Sequence, residues 1–317
     1  MPAVGVPAPV TASLAPAPAV RVPSAWRDWV ALAKPEITGL IVLVAVGGYF
    51  VAAPAAIDLG RLLTLVVLGA AASAGAAMLN HYVDRDVDAR MVRTARRPLP
   101  TDRIRSPGAV LAVGLALLAV GIGGATVLLN PLAGLSILLG GVTYVGVYTV
   151  WLKRRSSLNI VIGGFAGSAP ALAGGAAATG TWSPAVLALA LLVFLWTPPH
   201  FWSLALLLRS DYEKAGLPML PRMDDPAYSG KVVVVSAAVL LPATVALGLS
   251  GPIAWPTTVL LLALGLGFVA ATAPLWHDPD RRWARRGFLY SGPYLLAVLV
   301  ALVVNWALVA RGVVPGL

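Results

Sequence analysis

Asn80, Asp84 and Asp88 stand four residues apart in the segment Asn80-His81-Tyr82-Val83-Asp84-Arg85-Asp86-Val87-Asp88. On a helix, the spacing i, i+4, i+8 places three oxygen-bearing side chains on one face, a turn apart. Hard oxygen donors in such a row suit Mg²⁺, which binds through one or two carboxylates plus substrate phosphates and keeps its remaining waters. Asp86 turns to the opposite face, where an arginine can pair with it. Arg90, Arg93, Arg96 and Arg97 follow, ahead of Pro98-Leu99-Pro100. Guanidinium groups grip phosphate oxygens two at a time. A carboxylate row beside an arginine cluster describes a diphosphate site, with Arg90, Arg93 and Arg97 as its anion-binding groups. Lys153 and Arg154 are further candidates for the same role.

A second cluster reads Trp196-Thr197-Pro198-Pro199-His200-Phe201-Trp202, then Asp211-Tyr212-Glu213-Lys214. Asp211 is placed to complete a second Mg²⁺ site, and Lys214 to meet a phosphate. His200 lies inside an apolar run, and an ionisable residue within a membrane helix is a functional hypothesis by default. It is a candidate for a role with a substrate, and Trp202 and Tyr212 stand in the same cluster. His277 falls in a loop and carries no such argument.

The elements that must hold these groups follow from composition. The chain has 317 residues, of which 59% are hydrophobic and only 11% charged; its mean hydropathy is +0.85. Soluble domains carry about 25% charged residues. An ordinary soluble enzyme, a coiled coil and a disordered chain are thereby excluded. Apolar runs fall near 36–54, 62–80, 109–129, 131–150, 158–178, 184–207, 232–250, 255–276 and 288–310. Each is long enough to cross a hydrocarbon layer of about 30 Å as a helix. The expected fold is an all-α, polytopic membrane helix bundle of about nine transmembrane helices. The breaks hold turn-formers, among them Asn130-Pro131, Gly251-Pro252 and Asp278-Pro279. Gly163-Gly164, Gly167 and Gly174-Gly175 inside the runs suit close helix–helix contact. Residues 1–25, rich in Ala, Pro and Val, read as a disordered tail, and 26–317 as one domain. No positively charged start precedes an unbroken apolar core, so a cleaved signal peptide is not expected. With no cysteine, thiolate metal sites and disulfides are excluded.

The net charge is +10, from 23 Lys and Arg against 13 Asp and Glu. In a soluble protein that would suggest nucleic acid; here it reads as the positive-inside bias of membrane loops, and no nucleic-acid partner is expected. With nine crossings, 21 of the 23 bases fall on the N-terminal side, and only Arg61 and Arg311 lie opposite. This sorting puts the N-terminus in the cytoplasm. Twelve of the 13 acids lie on that side too, with only Asp58 opposite. The rule does not ask for that, because Asp and Glu contribute little to orientation. One face therefore carries nearly all the ionisable chemistry.

The row Asn80, Asp84, Asp88 followed by Arg93-Thr94 and Arg97-Pro98-Leu99-Pro100 resembles the first aspartate-rich motif of the UbiA-type intramembrane prenyltransferases. Within them it is similar to the branch that farnesylates haem. Lys34-Pro35, Tyr148-Thr149 with Leu152-Lys153-Arg154, Asn159 through Gly164, Trp196 through Trp202, and Asp211-Tyr212 through Pro221 are similar to that branch too. The resemblance spans roughly residues 30–310, with the motifs in the family's order. Three positions depart from it, one being Ala173-Gly174-Gly175 in place of a more usual Gly-Trp. The family's usual Asn-Asp is Asn80-His81 here, so His81 is not carried over as a metal ligand. Where related enzymes have a second row of several aspartates, this chain has one clear acid, Asp211.

The resemblance implies farnesyl diphosphate and haem b as substrates, Mg²⁺ as cofactor, and haem O and diphosphate as products. It implies a metal held by Asn80, Asp84, Asp88 and Asp211, and a haem-facing role for His200. It implies the lipid bilayer as surroundings, with a bacterial plasma membrane expected and the active site on its cytoplasmic face. It leaves open whether product passes to a haem A synthase or an oxidase. Alternatives are a prenyltransferase with another aromatic or tetrapyrrole acceptor, a transporter and an assembly factor. A transporter should carry ionisable groups near mid-membrane on broken helices, whereas the charges here collect at one end.

Overall fold

The computed structural model describes residues 25–53 and 56–315. The expected tail, 1–25, lies outside them except for Ala25, which opens a helix. In chain order the helices are α1 Ala25–Leu32, α2 Pro35–Ala52, α3 Leu59–Asp88, α4 Pro107–Leu128 and α5 Pro131–Gly141. A π-helix, Val142–Leu152, continues α5. Then come α6 Asn159–Gly163, α7 Phe165–Thr179, α8 Pro184–Leu207, α9 Arg209–Ala215, α10 Pro226–Ala238, α11 Leu240–Gly248, α12 Trp255–Thr272 and α13 Arg281–Ala310. Among the described residues, nine helical spans are long and apolar enough to cross a membrane. They are the nine expected runs, and no strand accompanies them.

Local chemistry starts these helices where it should. Ser106, Asn130, Ser183 and Asp225 each accept a hydrogen bond from a backbone N–H of the first turn. Each is followed by proline, whose missing N–H costs nothing at the first helical position. Pro242 accounts for the break between α10 and α11, because it cannot donate to the Ala238 carbonyl.

Several observed helices outrun their apolar windows. The third reaches Asp88 rather than residue 80, α10 starts at Pro226 rather than 232, and α13 starts at Arg281 rather than 288. Hydropathy marks only the part of a helix that sits in hydrocarbon. The extra turns are more polar, and those of α3 carry the candidate carboxylate row.

Small residues let the helices approach closely. A Cβ on Gly48 would strike the Ala171 carbonyl, and one on Gly174 would strike that of Ala45, so α2 lies backbone-to-backbone on α7. Gly75 meets Gly114, and Gly121 meets Ala72, in the same way between α3 and α4. Between lipid tails no hydrophobic drive favours helix association, so such close van der Waals contact is what holds a bundle. The largest core cluster joins α8, α11, α12 and α13 through Leu189, Leu192, Leu240, Phe268, Leu295 and Val298.

Candidate functional site

Because α3 runs unbroken through Asp88, the expected row forms. Asn80, Asp84 and Asp88 are all buried, and Asp84 is fully so. The Asn80 amide is held at both ends. Its Nδ2 donates to Asp84 Oδ2 at 2.8 Å and to Thr149 Oγ1 at 3.1 Å, and its Oδ1 accepts from Lys34 Nζ at 2.7 Å. Asp84 Oδ2 also accepts from Lys153 Nζ at 2.5 Å. Its other oxygen, Oδ1, is buried with no hydrogen-bond partner. One turn on, Asp88 Oδ2 accepts from Arg97 at 2.7 Å. A buried ion pair loses much of its attraction to desolvation. Three cations around three acceptor groups therefore describe a site organised for a further charged ligand more than one organised for stability.

Two of these partners were not among the expected site residues. Lys34 sits between α1 and α2 with φ 47°, a left-handed conformation. That turn brings its ammonium back over Asn80 and within 3.3 Å of the Tyr144 hydroxyl. Burial, helped by the Arg97 and Lys153 cations and opposed by Asp84 and Asp88, lowers its pKa to about 7. Thr149 belongs to the π-helix. There the Lys153 N–H reaches the Tyr148 carbonyl, five residues back, at 2.9 Å. The wider turn lets Tyr144, Tyr148 and Thr149 serve one side. Tyr144 and Tyr148 stack at 6.0 Å with their planes 9° apart. Gly163 makes room for Tyr148, since a Cβ there would lie 2.7 Å from the ring. The sequence signals were Lys34-Pro35 at a membrane-helix start and the Tyr148-Thr149 pair.

The other anion-binding candidates divide. Arg93, on the loop after α3, acts on Tyr212 of α9: burial raises the Tyr212 phenol pKa and this guanidinium opposes the rise. Arg154 makes two bonds to Asp86, at 2.9 and 2.7 Å, and lies 3.9 Å from Asp84. Asp86 raises the pKa of Arg154 further. Arg90 lies 3.8 Å from Asp86. The arginine expected to pair with Asp86 is thus chiefly Arg154.

On the connection after α8, Asp211 is half-buried in the first turn of α9, and Lys214 is exposed. Among the described residues neither side chain makes an ion pair. Tyr212 and Trp202 are buried together with Val87, Met91, Ile160 and Met219, under the end of α3. Asn159 fastens this layer by donating to the Pro218 carbonyl at 3.0 Å.

His200 stands apart. Its Nδ1 is 2.6 Å from Ser291 Oγ, and its ring stacks on Trp196 at 4.4 Å and lies 5.1 Å from Phe288. These contacts tie α8 to α13 and do not involve the carboxylate row.

The metal question turns on donor chemistry. Among the described residues no three carboxylate or imidazole groups converge as a ready-made cage. A buried carboxylate oxygen without a hydrogen bond, on a row of hard donors, nevertheless fits a cation that shares its coordination with a phosphate-bearing ligand. His81 does not join the row as a donor. It lies 3.9 Å from Asp88, and neither ring nitrogen has a hydrogen-bond partner.

The model of the UbiA prenyltransferase family matches residues 40–292. The chain belongs to that family. Its UbiA relatives include protoheme IX farnesyltransferase of Nostoc sp., 39% identical over 285 residues, covering 88% of each chain. Protoheme IX farnesyltransferase 1 of Paramagnetospirillum magneticum is 40% identical over 279 residues, covering 87% of this chain and 97% of that one. Solved UbiA structures share the fold. A digeranylgeranylglyceryl phosphate synthase superposes with a TM-score of 0.70 at 18% identity, over 89% of this chain and 98% of that one. A UbiA homologue from Archaeoglobus fulgidus, bound to DMAPP and Mg²⁺, does so with a TM-score of 0.68 at 18% identity, over 87% and 99%. The nine apolar spans among the described residues and this family together make the chain an integral membrane prenyltransferase.

Proposed function

We propose that this chain transfers the farnesyl group of farnesyl diphosphate to a vinyl group of haem b, with addition of water, giving haem O and diphosphate. The observation that carries this reading is near-full-length similarity, at 39 and 40% identity, to two protoheme IX farnesyltransferases. The residues at the end of α3 supply a matching chemistry.

In this reading Asn80, Asp84, Asp88 and Asp211 would hold Mg²⁺, and Asp84 Oδ1, which makes no hydrogen bond, would be the most available ligand atom. When bound, the metal neutralises charge on the diphosphate leaving group. Arg97 and Lys153, now on Asp88 and Asp84, turn part of their charge to the diphosphate oxygens. Arg90, Arg93, Arg154 and Lys214 supply outer charge. Their attraction grows as the C–O bond breaks and the diphosphate takes the electron pair, which is where electrostatic catalysis acts. Lys34 orients Asn80 and raises the positive potential at the same point. The farnesyl carbon left electron-poor is attacked by the haem vinyl carbon, and water adds at the neighbouring carbon with loss of a proton. Apolar walls, with the stacked Tyr144 and Tyr148 beside the row, keep water from the allylic carbon before the vinyl reaches it. His200, Trp202 and Tyr212 form the acceptor side, with His200 facing haem.

The gathering of 21 of 23 bases on the N-terminal side supports a cytoplasmic active face in a bacterial plasma membrane. Residues 26–317 act as one catalytic unit. The deciding experiment is Mg²⁺-dependent diphosphate release from farnesyl diphosphate, with and without haem b, with the haem product identified by mass. Haem O is expected; a prenylated benzoate, or no diphosphate release, would overturn the reading.

A further inference from the structure

A groove of about 430 Å³ runs along the outer side of the same end of α3, lined by Val83, Arg85, Asp86, Val150, Arg154 and Arg155. It is separate from the carboxylate row. Asp84 is fully buried, whereas Asp86, two residues on and turned to the far face, has 47% of its side chain exposed. Arg154 is the wall between the two, bonded to Asp86 and the Val83 carbonyl.

Three guanidinium groups face one carboxylate here. Asp86 consumes much of Arg154. Arg85 gives one N–H to the Tyr82 carbonyl at 2.5 Å and lies over the Tyr82 ring at 4.5 Å. The Arg155 side chain is exposed and makes no hydrogen bond or ion pair among the described residues. The groove is therefore net positive with donors unspent. Its two valines lie a turn deeper in the bundle. Val150 is 56% exposed, as is 54% of its neighbour Trp151, within the span Pro131–Leu152. An exposed apolar side chain on a spanning helix faces lipid. The groove thus has a basic rim at the membrane surface and an apolar floor open sideways to the bilayer.

We propose that this groove is a binding site for the phosphodiester headgroup of an anionic membrane phospholipid. The arginine rim pairs with the phosphate, and the first carbons of the acyl chains lie on Val83 and Val150. A free phosphate would leave the apolar floor uncovered. A zwitterionic headgroup would bring its own cation against Arg85 and Arg155. Basic residues serving only to orient the bundle would bind anionic lipid diffusely, without a stoichiometry.

The test is native mass spectrometry of the full chain, titrated with phosphatidylglycerol or phosphatidylcholine in detergent. One phosphatidylglycerol per chain, bound saturably and in preference to phosphatidylcholine, is expected. R85Q/R155Q should weaken it roughly 20- to 30-fold, at about one arginine's surface attraction each. Diphosphate release should stay unchanged. R155E alone covers the case in which the double variant folds poorly, and it should weaken binding in the same direction. R281Q/R285Q, which removes two exposed bases from the same face, should leave binding intact. Equal binding of the two lipids, equal loss in R281Q/R285Q, unchanged binding in R155E, or full displacement by inorganic phosphate or haem b would each overturn the proposal.

Discussion

The Lys153 ammonium lies 2.5 Å from Asp84 Oδ2, on a carboxylate with no exposure to solvent and a second oxygen that makes no hydrogen bond. Breaking such a pair from one side leaves an uncompensated buried charge, at a cost of about 3–5 kcal/mol. Asp84→Asn keeps the shape and removes the charge. We expect it to lower Mg²⁺-dependent diphosphate release by roughly 10²- to 10³-fold, the scale for losing one electrostatic stabiliser. Its thermal unfolding in detergent should shift as well, because Lys153 loses its counter-charge. A D84N enzyme with wild-type turnover would remove Asp84 from the chemistry.

Arg97 holds Asp88 at 2.7 Å and is the arginine nearest the row. Arg97→Lys keeps the charge but loses the two-pronged geometry. The expected outcome is a higher KM for farnesyl diphosphate, by roughly tenfold or more, as for a charged hydrogen bond worth about 1.5–3 kcal/mol. Steady-state kinetics over a range of farnesyl diphosphate concentrations reads this directly. Arg96, which has no such contact to the row, provides the comparison through Arg96→Lys.

Gly163 faces the Tyr148 ring with no room for a methyl group. Gly163→Ala forces the ring or the π-helix to move. Overpacking of this kind costs about 1–3 kcal/mol. We expect a lower unfolding midpoint together with reduced turnover, since Thr149 on the same π-helix positions Asn80. Gly146 has open space beside it, so Gly146→Ala should leave both unchanged.

His200 separates the two substrates. It touches Trp196, Phe288 and Ser291 but not the carboxylate row. His200→Ala should raise the KM for haem b while leaving the KM for farnesyl diphosphate near its original value. A rise in both, measured by haem O formation, would make His200 a packing residue for the α8–α13 contact.

The sequence carried the nine crossings well, because a run of 20 apolar residues has few alternatives in a bilayer. Its polar row was legible for the same reason: a helix ending in Asn80, Asp84 and Asp88 admits one geometry. The cations on that row were harder to read. Lys34 is 46 residues from Asn80 in sequence, and only a left-handed turn after α1 folds it back. Thr149 is 69 residues away, on a π-helix that an apolar run does not announce. Asp86 and Arg154 show what residue type alone leaves out. Residue type marks Arg154 as a phosphate ligand, but a bidentate carboxylate already occupies much of it.

The length of α3 sets the depth at which its polar row stands. At about 1.5 Å per residue, its 30 residues reach roughly 45 Å, against about 30 Å of hydrocarbon. Counted from Leu59, the oily layer is used up near Asn80, and the positions from Asn80 to Asp88 climb through the next 12 Å or so, level with the lipid headgroups. In the proposed reaction, bond cleavage at this row would take place at a waterline, with the spent diphosphate leaving toward the aqueous phase while the prenylated product keeps its tail in oil, so the two would depart in different solvents.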